Sequence, residues 1–110
     1  MGWNAGYTIF ESTVVGAYDL GKLDKDLLRV LMEPYRDSDI DSGGERGLRA
    51  KDGLNVMEIV IKTWGGKVPE RPALPANYRE WTEAQRNAND AYQELLWCRF
   101  RAVTKQFGWC

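Results

Sequence analysis

The 110-residue chain has no histidine. That absence removes the commonest general base, the Ser–His and Cys–His nucleophile pairs, and every zinc site with an imidazole ligand. Cysteine is scarce, with only Cys98 and Cys110, too few for a four-thiolate zinc site. On one continuous helix the two would stand about 18 Å apart, whereas a disulfide spans roughly 7 Å between Cα atoms at most. Two free thiols in a reducing compartment are therefore expected. No apolar run nears the ~20 residues of a membrane-spanning helix. The opening MGWNAGYTIF has neither the basic nor the apolar stretch of a secretory leader. Gly6 stands where a myristoylation signal needs Ser or Thr. Phosphate loops of the GxxxxGKS/T or GxGxxG type are missing. An enzyme on this chain would have to work with carboxylates, Lys, Tyr or a thiolate. The expectation is a cytoplasmic, non-enzymatic protein with no cofactor and no metal.

What is present suits one small folded domain. Hydrophobic residues make up 44% and charged residues 28%, an ordinary globular balance, and the length suffices for one core. The net charge of −1 creates no global attraction to nucleic acid or to an anionic membrane. The charge is unevenly divided. Residues 1–45 hold four basic and nine acidic side chains, leaving eleven basic and seven acidic for residues 46–110. The two parts carry −5 and +4.

Apolar periodicity predicts a mainly α fold: an N-terminal helix hairpin, a third element, and a long C-terminal helix. TIFESTVVGAYDL, residues 8–20, has Thr8 and Glu11 at capping-box spacing. Phe10, Val14, Ala17 and Tyr18 form an apolar stripe, and Gly21 is placed to end the helix. Asp24 is an N-cap candidate for a second helix. Leu27, Leu28, Leu31 and Met32 are expected on its buried face, helped by Leu23 and Val30, and Pro34 stops it. The two helices make an αα-hairpin. LNVMEIVIKTW, residues 54–64, fits either a helix or a strand. Alternation and β-branching favour a strand. Asn55 and Glu58 at capping-box spacing favour a helix, with Val56, Ile59, Val60 and Thr63 on one face; a helix is predicted. Residues 65–77 hold three of the four prolines and predict a semi-extended connector. From Tyr78 to Phe107 there is neither Gly nor Pro. One helix is expected there, opened by Asn77 and Glu80. Its stripe would be Trp81, Ala84, Ala88, Tyr92, Leu95, Cys98, Ala102 and Val103.

Two regions are candidate binding sites. DSDIDSGGERG places Asp37, Asp39 and Asp41 at the first, third and fifth positions of a calcium loop. Ser42, Gly44 and Leu48 then occupy the positions that need the turn glycine, the apolar contact and the bidentate glutamate. A polar turn salted with Arg36, Arg46 and Arg49 is the simpler reading; non-EF calcium binding and an acidic contact surface stay open. Past Glu94 all charges are basic: Arg99, Arg101 and Lys105. They suit the negative end of a helix dipole. With Trp97, Phe100, Phe107 and Trp109 they also form a basic-aromatic patch able to stack on bases or meet an acidic protein face. Five tryptophans in so short a chain fill a core or anchor an interface, and Trp3 and Trp109, near the termini, are the better interface candidates. A DNA-reading hairpin is disfavoured, because Asp24, Asp26 and Glu33 would repel phosphates.

The run GYTIFESTVV…YDLGKLDKDLL…MEPYRDSDID resembles the opening of small bacteriophage-encoded accessory proteins. The likeness covers about the first half of the chain and includes no catalytic motif. It implies expression in a bacterial host cytoplasm, and an accessory role in which the protein binds and blocks a host enzyme or defence complex. The expected partner is thus a host protein or complex, met through Trp97, Arg99, Arg101, Lys105, Trp109, Asp37, Asp39 and Asp41. Nucleotide or nucleic-acid binding through the basic-aromatic helix is the alternative. The opposite charges of the two parts also suit self-association. No membrane contact is expected.

Overall fold

The computed structural model describes residues 2–35 and 48–107, with side chains at 10–34 and 48–107. The architecture is mainly helical: α1 (Gly2–Asp19), α2 (Lys25–Met32), α3 (Val56–Thr63) and α4 (Glu83–Gln106), with short 3-10 turns at Glu33–Tyr35 and Tyr78–Glu80. α1 packs on α2 and α3, and α3 packs along α4. Among the described residues there is no strand, only an isolated antiparallel bridge between Arg49 and Asn55. No described helix is long and apolar enough to cross a membrane.

α1 begins earlier than its capping signal. Thr8 and Glu11 lie inside it, and Glu11 accepts a hydrogen bond from the Leu48 N–H at 3.3 Å. A cap contributes only about 1 kcal/mol, a small bias on where a helix starts. The helix ends as expected. Gly21 sits at φ 68°, the Lys22 N–H reaches the Ala17 carbonyl at 2.9 Å and the Gly21 N–H the Tyr18 carbonyl at 3.0 Å. These are the paired bonds of a Schellman C-cap, which only glycine makes without strain. Asp24 caps α2 by accepting from the Leu27 N–H at 2.8 Å. Leu28 and Met32 are fully buried there, whereas Val30 is 68% exposed and lies off the core.

The ambiguous 54–64 segment is helical, and its capping box is complete. The Asn55 side chain accepts from the Glu58 N–H, and the Glu58 carboxylate accepts from the Asn55 N–H, each at 3.0 Å. Every residue from Val56 to Ile61 is buried. Over these six residues α3 has no solvent face, so burial on all sides leaves no clear helical stripe in the sequence. It ends in a second Schellman cap at Gly65 (φ 89°), where the Gly66 N–H bonds the Ile61 carbonyl at 2.9 Å.

The long C-terminal helix is interrupted. Asn77 caps only the 3-10 turn, and Trp81 is extended at ψ 135°. α4 starts from a different box: Thr82 Oγ1 accepts from the Gln85 N–H at 3.2 Å, and Gln85 Oε1 from the Thr82 N–H at 2.8 Å. The Trp81 indole N–H donates to the Pro75 carbonyl at 2.7 Å, holding the break against the connector. The remaining 24 residues span about 36 Å. The buried face also differs from the expected stripe. It is Tyr92, Leu96, Phe100, Val103 and Thr104, while Ala84, Ala88, Leu95, Cys98 and Ala102 are exposed. Both rows have three-to-four spacing; the one carrying the larger side chains faces the core.

All four helices supply one hydrophobic cluster, from Phe10, Val14 and Val15 through Leu28, Met32 and α3 to Leu96, Phe100 and Val103. Trp64 closes one end, its ring 4.0 Å from that of Phe107 and its face under the Arg29 guanidinium at 5.6 Å.

Candidate functional site

Glu58 is a charged residue inside the apolar run Val56–Ile61, and its side chain is 1% exposed. A buried carboxylate must be paired and hydrogen-bonded to remain ionised, and the fold brings its partners from three other segments. From the connector, Arg71 donates to Oε2 through Nε at 2.9 Å and to Oε1 through Nη2. From α4, the Tyr92 hydroxyl donates to Oε2 at 2.6 Å. From the 48–55 turn, Arg49 stands 3.9 Å from Oε1. Both arginines also donate to the Gly53 carbonyl, Arg49 at 3.0 Å and Arg71 at 2.7 Å. That carbonyl is presented by a tight turn in which the Gly53 N–H bonds the Ala50 carbonyl at 2.9 Å, with Gly53 at φ 89°.

The electrostatics hold charge in place. Burial pushes the Glu58 carboxyl upward, but the hydrogen bonds from Arg71, the Asn55 N–H and Tyr92 outweigh it and leave the group below the usual carboxylate range. Burial, then the adjacent Glu58 carboxylate, pushes the Tyr92 hydroxyl up to about 12. The cluster therefore works as a buried lock joining the turn, α3, the connector and α4.

Beside the lock is a small, solvent-open cleft of about 70 Å³. Arg49, Arg71, Asn55 and Tyr92 line it, together with Asn89 and Gln93 of α4. From this cleft a row of five residues spaced four apart winds along α4: Asn89, Gln93, Trp97, Arg101 and Lys105, about one helical turn per step.

Only part of the expected basic-aromatic patch lies on this row. Trp97 is 37% exposed. It stacks against Phe100 with ring centroids 5.8 Å apart and carries the Arg101 guanidinium 5.7 Å from its ring centre. Lys105 is exposed one turn further on. Arg99 does not join them. It points to the connector, donating to the Lys67 carbonyl at 2.6 Å. Two residues along a helix turn the side chain by about 200°, which separates Arg99 from Trp97 and Arg101. Trp109 and the acidic run Asp37, Asp39 and Asp41 lie outside the described residues. Among the described residues no group of three acidic or thiol side chains could hold a metal ion, and Cys98 is exposed and free.

Sequence reasoning found Glu58 only as a cap. The overlooked signal was a carboxylate in the middle of a fully apolar run, which demands a cation from elsewhere in the chain. Nothing local says that Arg71, thirteen residues on in a proline-rich connector, supplies it.

No protein-family model, curated protein or solved structure matches this chain. The chemistry of these residues therefore carries the functional argument.

Proposed function

We propose that this is a non-enzymatic binding protein of the phage accessory kind, which docks on a host protein or complex and blocks it. The docking row is Gln93, Trp97, Arg101 and Lys105 of α4. The supporting observation is the half-exposed Trp97 ring, stacked on Phe100 and covered by the Arg101 guanidinium. Tryptophan and arginine are the residue types that dominate interface hot spots. Here the ring is anchored on the core through Phe100, so little side-chain freedom is lost on binding. The bacterial cytoplasmic setting follows the resemblance of the N-terminal half to phage accessory proteins.

The test is affinity capture from bacterial lysate with the tagged protein, the W97A/R101E variant and nuclease-treated samples, read by mass spectrometry. A protein retained after nuclease and lost with W97A/R101E is the expected result. Retention that vanishes with nuclease would move the row to nucleic-acid binding, with salt-sensitive affinity. Equal retention by the variant would overturn the assignment to α4.

A further inference from the structure

The lock contains one more cation than its carboxylate needs. Glu58 is already satisfied by two donors from Arg71, the Tyr92 hydroxyl and the Asn55 N–H. Arg49 adds an ion pair at 3.9 Å and, among the described residues, makes a single hydrogen bond, to the Gly53 carbonyl. Among the described residues, two guanidiniums and one carboxylate leave a net charge of +1 on the cleft wall. A guanidinium presents five donors, and the one bond Arg49 makes uses Nη1. Its side chain is 32% exposed, so it is only partly in water. Asn89 and Gln93, both half-buried, line the same cleft. Their carboxamides make no hydrogen bond among the described residues. Pro72 and Leu74 supply apolar wall. The cleft thus combines one uncompensated cation, two adaptable amide donors and an apolar side.

We infer that this cleft binds a carboxylate, taken by Arg49 with Asn89 and Gln93. A guanidinium fork matches a planar carboxylate in two parallel bonds, the geometry Arg71 already uses on Glu58. The single net charge suits a monoanion; a phosphate dianion would place its second charge toward Glu58. The carboxylate belongs either to a free small acid or to an acidic side chain of a docked protein, and the cleft recognises the same group in both. The inference stands on the cleft alone and does not require the α4 docking row.

The test is an NMR titration of the full-length protein with sodium acetate, against sodium chloride at matched ionic strength. The signals followed are the side-chain amides of Asn89 and Gln93 and the Arg49 Nε–H. Saturable shifts with acetate and not with chloride are expected. R49Q should weaken acetate binding roughly ten-fold, the usual effect of removing one charge-assisted hydrogen bond. Q93L leaves every contact of Glu58 in place and should weaken it several-fold, which keeps the test valid if R49Q alters the turn. Linear shifts, equal response to chloride, or unchanged affinity in both variants would overturn the site. Acetate that also displaces a captured protein would assign the carboxylate to that partner's side chain. Acetate binding without displacement, or with no protein captured at all, would assign a free acid.

Discussion

The fold contains the same three chemical groups twice, in different surroundings. Glu58, Arg71 and Tyr92 form one set; Asp52, Lys62 and Tyr18 form the other. In the second set the Tyr18 hydroxyl donates to Asp52 at 2.5 Å, the Lys62 ammonium donates to the Tyr18 oxygen at 2.9 Å, and Lys62 and Asp52 stand 3.9 Å apart. In both sets a tyrosine hydroxyl donates to the carboxylate and a cation stands beside it. The difference is water: the Glu58 side chain is 1% exposed, whereas Asp52 and Lys62 are 43% and 56% exposed. A buried carboxylate that loses its cation has no solvent to replace it. An exposed one exchanges its partner for water at little cost. The comparison teaches that the inner set specifies how α3, the connector and α4 meet, and that the outer set decorates an arrangement made by other contacts.

Removing one member from each set separates the two most sharply. R71A leaves Glu58 buried with only the distant Arg49 as cation, and should destabilise the protein by about 3 kcal/mol in urea unfolding. A loss no larger than that of an ordinary surface arginine would show that water reaches Glu58. The acid limb comes next in size. The folded-state pKa of Glu58 lies below its ordinary 4.5. Its stabilising contribution is therefore complete above that value and is lost as pH falls below it, through the lower folded value. Tyr92 works at the other end: its pKa rises from 10 to about 12, so its contribution is complete below pH 10 and fades as pH climbs through 12. E58Q should flatten the acid limb of a stability–pH profile and leave the outer set untouched. The smallest effect belongs to D52N. The Tyr18 hydroxyl, first among several groups, holds Asp52 below the usual carboxylate range, yet the site is open to water and salt. Its melting temperature should stay close to that of the parent, and 1 M sodium chloride should erase any difference. A drop comparable with R71A would collapse the distinction between the sets.

Local signals were legible wherever one short segment held all the parts. The Asp24 cap, the Asn55–Glu58 box and the left-handed Gly21 each depend on a few neighbouring residues, and each formed as the spacing implied. The face of α4 was not legible in this way. Of the expected stripe, Tyr92 and Val103 are buried, while Ala84, Ala88, Leu95, Cys98 and Ala102 are exposed. Leu96 and Phe100, equally regular in spacing, complete the buried face against the common core. The break at Trp81 was also missed. Neither Gly nor Pro marks the spot and the indole bond to Pro75 comes from the connector; the Thr82–Gln85 capping box was the local signal.

The sequence by itself determined a mainly helical chain with marked helix ends, because capping and periodicity act within a turn or two of the backbone. It also determined that histidine chemistry is absent. Tertiary structure decided which cation reaches the Glu58 carboxylate, which side of α4 meets solvent, and that Arg99 bonds the connector at the Lys67 carbonyl. Those outcomes depend on contacts between separate segments of the chain, which patterns within a turn or two of backbone do not specify.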